Sequence, residues 1–518
     1  MNQAPQQEMG LFNYNVDMSP MVMDIRSETL EPISQSAKRK VFRLDSAGYL
    51  DQNSVLLFKL TTQQGNNQLR VNPSSGALLG IKRATLQIGD HILNDSVDIG
   101  RVSALTNLMG QNEATRNQYA GHYYGNQFHS KVNAGYDNTV SQQGGKGTII
   151  YDTRKSGVDY GSIVNQANAQ INSIPLKSLV NDSYQYGIPL GVILPCLKNR
   201  SIPLFLFQEY RILITIEFED EPNYISDITM NSAQVPANNN TVNRGMAGQV
   251  GAVSVEDVKL QVDYIIYPSE IQAQAREQTN AQGGYRLDFF DIIKVEKNIP
   301  QATANQEQSV EHRIGADNKE VHKIYMMKKF TNATYNSSVS VGAGTTANFG
   351  RPIQPDRLYL NGRCQGINQE EYNVNIDGVD VFVENKWNPS SQYDETTNCL
   401  GQDLKVVRPS FWCDENTINC RLGEPNDGIL GKYKPLCLDL TNGEPVIVGG
   451  GRQIGAYPII WKYKRKAVPY IPNPAGTNPT GDIVYDMTQP LEVDYFMYVS
   501  RVANVKSTPQ GTQVVVSY

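Results

Sequence analysis

The stretch that decides the fold is "VDYIIYPSEIQAQAREQTNAQGGYRLDFFDIIKVEKN", residues 262–298. It opens by finishing a strand. Val258, Leu260, Val262, Tyr264 and Ile266 alternate with Lys259, Gln261 and Asp263, the two-residue period of a sheet with one wet face. Pro268 and Ser269 then start a breaker-free segment to residue 278 that suits a short helix. "NAQGG", residues 280–284, ends it, and a new strand-like run begins at Tyr285. A strand that closes, a helix and a strand that opens mark a boundary between two β-units, with residues 268–284 as the linker.

The same alternation recurs along the chain. In "EYRILITIEFED" (209–220), Tyr210, Ile212, Ile214, Ile216 and Phe218 share one face, and Arg211, Thr215 and Glu217 the other. "HKIYMMKKF" (322–330), "YNVNIDGVDVFVEN" (372–385) and "LEVDYFMYVSRVANV" (491–505) behave similarly. Many strands between Gly/Asn/Pro loops define an all-β class. One amphipathic helix stands out: Ile99, Val102, Leu105, Leu108 and Met109 line one face, with Ser96 as the expected N-cap. Gly89-Asp90 and Asp377-Gly378 each sit between two strand-like runs, and both fit primed hairpin turns. These hairpins lie at comparable depth in the two halves, which suggests duplication of one β-domain. The long polar segments 61–79, 110–172, 230–252 and 385–435 read as insertions projecting from the sheet ends.

Composition narrows the class. The chain has 518 residues, 40% hydrophobic and only 19% charged, so its surface relies on neutral polar side chains. A net charge of −6 argues against wholesale wrapping of nucleic acid. No apolar run approaches the roughly 20 residues of a bilayer-spanning helix. The first residues lack a signal-peptide pattern, so the expectation is a protein that is not secreted. Six cysteines (Cys196, Cys364, Cys399, Cys413, Cys420 and Cys437) are too sparse for a disulfide scaffold and read mostly as free thiols in a reducing compartment. The sequons at Asn332 and Asn336 are expected by chance in an Asn-rich chain.

Catalytic and metal-binding patterns are missing. The five histidines are dispersed, and the closest pair, His122 and His129, fits neither one helix face nor one strand face. The cysteines form no C-x-x-C pair, and no P-loop or nucleophile elbow occurs. The expectation is therefore no enzyme, no cofactor, no metal and no small-molecule substrate. "WKYKRKAVPYIP" (461–472) interleaves Trp461, Tyr463 and Tyr470 with Lys462, Lys464, Arg465 and Lys466. It reads either as a basic patch on an inner surface, for nucleic acid or anionic lipid, or as a lysine-guarded strand edge. Lys38, Arg39 and Lys40 allow an import signal or simply the foot of an N-terminal arm. That arm, residues 1–37, is expected to be flexible, because strand-like residues first gather in "SQSAKRKVFRLDSAGYLDQNSVLLFKL" (34–60) at Val41, Phe42 and Leu44.

Several segments, taken in order, resemble the double jelly-roll major capsid proteins of eukaryotic double-stranded DNA viruses, the lineage of Polinton-like viruses, virophages and nucleocytoplasmic large DNA viruses. "GIKRATLQIGDHILNDSVDIGRVSALTNLMG" (80–110) resembles that family's strand, turn, strand and helix. "IPLGVILPCLKNRSIPLFLFQEYRILITIEF" (188–218) resembles its Leu/Pro-rich element leading into a long strand. The 262–298 stretch resembles the junction of the two jelly rolls. "EVHKIYMMKKFTNATY" (320–335) and "DYFMYVSRVANV" (494–505) resemble strands of the second. The likeness touches residues 40 to 505, apart from 110–170 and 385–450.

The resemblance implies two tandem eight-stranded antiparallel jelly rolls with long loops and a short linker helix, at 38–267 and 285–506, with a tail at 507–518. It implies a major capsid protein that trimerises into pseudo-hexameric capsomers tiling an icosahedral shell. The expected partners are further copies of the chain, penton and minor capsid proteins, and an inner membrane or genome layer. The expected location is the virion, assembled inside the host cell. Met9, Leu11, Phe12, Met18, Met21, Val22 and Met23 of the arm are the candidate assembly contacts, ordering as the shell closes. The alternative is a β-sandwich fibre or adhesin that binds carbohydrate or a receptor, which shares the Asn-rich, Tyr-rich composition.

Overall fold

The computed structural model describes residues 24–62, 69–71, 76–110, 185–198, 200–220, 225–230, 242–244, 253–330, 370–386, 389–400, 435–441, 450–466, 490–508 and 511–517. The first half begins with β1 (Asp24–Leu30), β2 (Ser34–Gln35), β3 (Arg39–Leu44), β4 (Tyr49–Leu50), β5 (Val55–Thr62) and β6 (Leu69–Val71). It continues with β7 (Ile81–Ile88), β8 (His91–Val97), helix α1 (Ile99–Gly110), β9 (Gln185–Pro189) and β10 (Ile202–Pro203). β11 (Ile212–Phe218), β12 (Ile225–Met230), β13 (Val242–Arg244) and β14 (Val253–Ile266) complete it. Helix α2 (Ser269–Ala281) leads to β15 (Tyr285–Ile299), β16 (Glu307–Ile314), β17 (Glu320–Phe330), β18 (Glu370–Ile376) and β19 (Val379–Asp380). Helix α3 (Pro389–Leu400), β20 (Leu436–Asp439), β21 (Arg452–Gln453), β22 (Ile459–Lys466), β23 (Leu491–Thr508) and β24 (Gly511–Ser517) follow.

Apart from β6, β12 and β13, which form a three-stranded sheet of their own, these strands build two sandwiches in tandem. The first packs a six-stranded sheet, β10-β4-β14-β5-β9 with β1 on β14, against a five-stranded sheet, β2-β3-β11-β7-β8. The second packs β15-β23-β17-β20, with β21 and β24 attached, against the four-stranded β16-β22-β18-β19. All pairings are antiparallel. The chain is thus a double jelly roll, as the resemblance implied, on the all-β class that its patterning predicted. The periodicity sets the register: Ile212, Ile214, Ile216 and Phe218 are buried, while Leu213, Thr215 and Glu217 are half-exposed.

Turn chemistry matches the sequence. Asp377 (φ +54°) and Gly378 (φ +84°) join β18 to β19 with two left-handed residues, a type I′ turn. Gly89 (φ +58°) turns β7 into β8. Helix α2 ends in a Schellman motif, in which Gly284 N–H donates to Thr279 O and Gly283 N–H, at φ +91°, to Asn280 O.

Three boundaries differ from expectation. Residues 24–30, placed in the flexible arm, form β1, which pairs in register with β14 from Asp24↔Ile266 to Leu30↔Leu260. The polar composition of "DIRSETL" misled because an edge strand needs little apolar content when its backbone bonds supply the pairing. The tail also is a strand: β24 folds back on β23 from Val502↔Ser517 to Thr508↔Gly511. Ser96 does not cap α1; it lies inside β8, and Asp98 (φ +54°) makes the turn into the helix.

Candidate functional site: the interface between the jelly rolls

Alternation fails at two places, and the failure locates the site. Phe289 through Ile292 on β15 are buried without a break, as are Val493 through Arg501 on β23. A strand reads this way when both of its faces are covered. Val493, Tyr495, Met497 and Val499 join the core of the second sandwich. Phe496, Tyr498 and Phe290 instead join a core shared with Leu86, Leu93 and Leu105 of the first. The six-stranded sheet of the second roll is therefore covered by its own sandwich on one side and by the first roll on the other.

Charged side chains punctuate this apolar contact. Asp98 and Arg101 come from the β8–α1 corner of the first roll; Lys294 and Asp494 come from the second. Arg101 pairs with Asp494, and Lys294 with Asp98, while Lys294 Nζ also lies 3.3 Å from Asp494 Oδ1. All four side chains are 6% exposed or less. Burial lowers the affinity of Lys294 for its proton, but Asp494 and Asp98 outweigh it and leave the net pKa raised.

A second cluster centres on Asp291 of β15. Asn94 Nδ2 donates to its carboxylate at 2.5 Å and Ser96 Oγ at 3.1 Å, both from the first roll. Arg501 Nη1 donates to Asp291 at 2.9 Å and to Leu93 O at 2.9 Å. Burial pushes the Asp291 carboxyl upward, opposed by Arg501. At the far end, Tyr210 donates to Thr512 O, and Thr512 N–H donates to Glu209 at 2.8 Å, tying β24 to the first roll. Arg200 lies 5.6 Å over the Phe290 ring. Buried polar groups paired across the contact fix one orientation of the two rolls where apolar contact alone would tolerate sliding.

The expected basic patch is differently built. β22 is not an edge strand; it runs between β16 and β18. Lys462 pairs with Asp380 at 2.8 Å, and Lys464 with Glu307 at 3.0 Å and Glu371 at 3.3 Å. Arg465 is buried, donating to Gln308 Oε1 and Pro300 O. Lys462 and Lys464 are thus both ion-paired in place, with acids supplied by β16, β18 and β19. The Lys466 side chain lies outside the described residues. Lys38 pairs with Asp220, and Lys40 is buried and donates to Ser36 O, so this trio opens the five-stranded sheet. Met9, Leu11, Phe12, Met18, Met21, Val22 and Met23 lie outside the described residues, as do His122, His129, Cys364, Cys413 and Cys420. Cys196, Cys399 and Cys437 are buried free thiols. Among the described residues, no group of three or more His, Cys, Asp or Glu is placed to hold a metal.

Comparison with known proteins gives the fold and its company. No family model matches the chain, and no curated protein matches it. Solved structures do. The chain is similar to PBCV-1 VP54 as fitted into a reconstruction of the virophage Sputnik, with a TM-score of 0.56 at 10% identity, over 97% of this chain and 99% of that one. It is similar to the PBCV-1 capsid protein of a quasi-atomic model, with a TM-score of 0.54 at 10% identity, covering 97% and 98%. A chain of the Sputnik virophage structure follows, with a TM-score of 0.52 at 10% identity, covering 100% and 92%. At these identities the likeness is one of fold, and it spans both jelly rolls together.

Proposed function

We propose that this chain is a major capsid protein, a structural subunit that trimerises into pseudo-hexameric capsomers. The observation that carries the proposal is the near-complete, two-sided coverage between this double jelly roll and the viral capsid structures. The interface geometry supports it. A capsomer built of three chains needs the two rolls of each chain held as one block, and a shared core with buried ion pairs does that. The reading is non-enzymatic, with the chain located in the virion shell after assembly in the host cell. Its partners are its own copies, then penton and minor capsid proteins, and a membrane or genome layer beneath. A fibre or adhesin would display clustered exposed aromatics; among the described residues Tyr457 is the one strongly exposed aromatic ring.

Native mass of the purified chain at micromolar concentration tests this. The expected species lies near 172.8 kDa, three times the 57.6 kDa chain, and is stable to dilution. A 57.6 kDa monomer would overturn the capsomer reading and return attention to glycan binding.

A further inference from the structure

Lys328 on β17 and Glu370 on β18 meet across the second sandwich, one from each sheet, and both side chains are completely buried. Nζ lies 2.6 Å from Oε1. Tyr463 on β22 donates its phenolic hydrogen bond to the same carboxylate oxygen, and Nζ sits 5.2 Å from the centre of its ring. The other oxygen, Glu370 Oε2, is buried and has no hydrogen-bond partner among the described residues. A bare carboxylate oxygen in a dry core is costly, and a buried ion pair repays its desolvation only when the remaining lone pairs are satisfied. Here one oxygen is doubly held and the other is idle.

From this geometry we propose that Lys328 and Glu370 condense into an intramolecular isopeptide bond that ties the two sheets of the second jelly roll together. The 2.6 Å contact with Oε1 places Nζ one bond away from Cδ, and attack takes place once the two atoms come within about 3–3.5 Å. Transfer of one proton from Nζ along its hydrogen bond to Oε1 leaves a neutral amine against a carboxylic acid. The amine lone pair then attacks Cδ, and charge develops on Oε2. A second Nζ proton passes to Oε1, the Cδ–Oε1 bond breaks with the Tyr463 hydroxyl supporting the departing oxygen, and one water leaves. Nothing is oxidised or reduced, and no co-reactant is needed. The product removes both charges and turns the idle carboxylate oxygen into the carbonyl of a neutral amide.

Intact-mass measurement of the purified, denatured full-length chain tests the proposal, independently of its oligomeric state. The expected mass is one water, about 18 Da, below that of the sequence. Peptide mapping is expected to find a branched peptide joining Lys328 to Glu370. Lys328→Arg retains a cation without a nucleophilic amine at neutral pH and is expected to restore the full mass. A wild-type chain at full sequence mass would overturn the proposal. So would a water loss that maps elsewhere or survives in Lys328→Arg.

Discussion

Arg101, on the first helix of one jelly roll, is ion-paired with Asp494, on a central strand of the other, and the two side chains are 2% and 4% exposed. With Asp98 and Lys294 they form an array in which each roll supplies one cation and one anion. The Arg101–Asp494 and Lys294–Asp98 pairs both cross between the rolls. Separating them would leave Asp98 and Arg101 on one face and Lys294 and Asp494 on the other, each deprived of its cross-roll partner.

Arg101→Met is therefore expected to destabilise the chain by about 3–5 kcal/mol, the cost of breaking a buried ion pair by removing one partner. Chemical denaturation checks this as a lower unfolding midpoint. The double variant Arg101→Met/Asp494→Asn should recover part of the loss, because the residues are in contact and their effects do not add. Lys38→Met, at a pair whose side chains are 47% and 57% exposed, should change stability by no more than about 1 kcal/mol.

Gly100 gives a prediction of unusual sign. Replacing a helical glycine by alanine ordinarily stabilises by up to about 1 kcal/mol. At Gly100 the added Cβ would stand 2.0 Å from Leu78 O and 2.5 Å from Ile81 O, both backbone atoms. Gly100→Ala is expected to destabilise by about 1–3 kcal/mol as α1 is pushed off the sheet. A raised melting temperature would contradict this packing.

Much of this fold was legible in the sequence because a half-buried strand must alternate. β11 and β14 announce themselves, and the Asp377-Gly378 turn follows from backbone conformation alone. The interface was not read, although "FFDII" and "VDYFMYVSR" carried its signal. A charge inside an unbroken apolar run marks a strand covered on both sides, with the charge answered by another element. Which element answers is a long-range fact: Asp291 meets Asn94 across 197 residues of chain. The pairing of the β22 lysines was not readable for a related reason, since their acids come from β16, β18 and β19, 82 residues away for Lys462 and Asp380. β1 was missed because a polar edge strand has no apolar pattern to read.

Two buried histidines set an acid limit. His312 Nε2 lies 3.1 Å from Asn298 O, which can only accept, so Nε2 carries the proton and Nδ1 accepts from Tyr495 OH at 2.8 Å. Burial lowers the pKa of His312, with nearby Lys297 adding to the effect and the Asn298 bond opposing it. His322, held 2.6 Å from Ser500 Oγ, is lowered by burial, with Glu320 opposing. A base with a depressed folded pKa takes up its proton more readily when unfolded. Stability is thus fully present above the unfolded value, about 6.5, and is lost as pH falls from there through the folded values. Melting temperature should drop between pH 7.5 and 5, and His312→Gln should flatten part of that slope. The carboxyls of Asp291 and Glu395, raised by burial, act in the opposite sense, so the comparison of variants isolates the histidines. An identical slope in His312→Gln would remove His312 from the account.

The N-terminal boundary yields the last test. β1 begins at Asp24 and covers one edge of β14 over seven register pairs, with Ser27 Oγ donating to Asp263 at 2.5 Å. Removing residues 1–23 leaves that strand in place, so the truncated chain should melt at the same temperature and keep the native mass of the intact one. Under the proposed capsid role, with the arm residues contacting neighbouring copies, shell assembly is what fails. Removing residues 1–37 also takes β1 and β2, which strips backbone partners from β14 and β3 and uncovers the Leu260–Ile266 edge, where buried Leu260, Val262 and Tyr264 alternate with half-buried residues. An uncovered strand edge invites pairing with other chains, so this longer deletion should lower the melting temperature and aggregate on heating. Light scattering during a thermal ramp separates the two truncations. Equal behaviour of both would show that β1 is dispensable to the first jelly roll and that the arm extends to residue 37 after all.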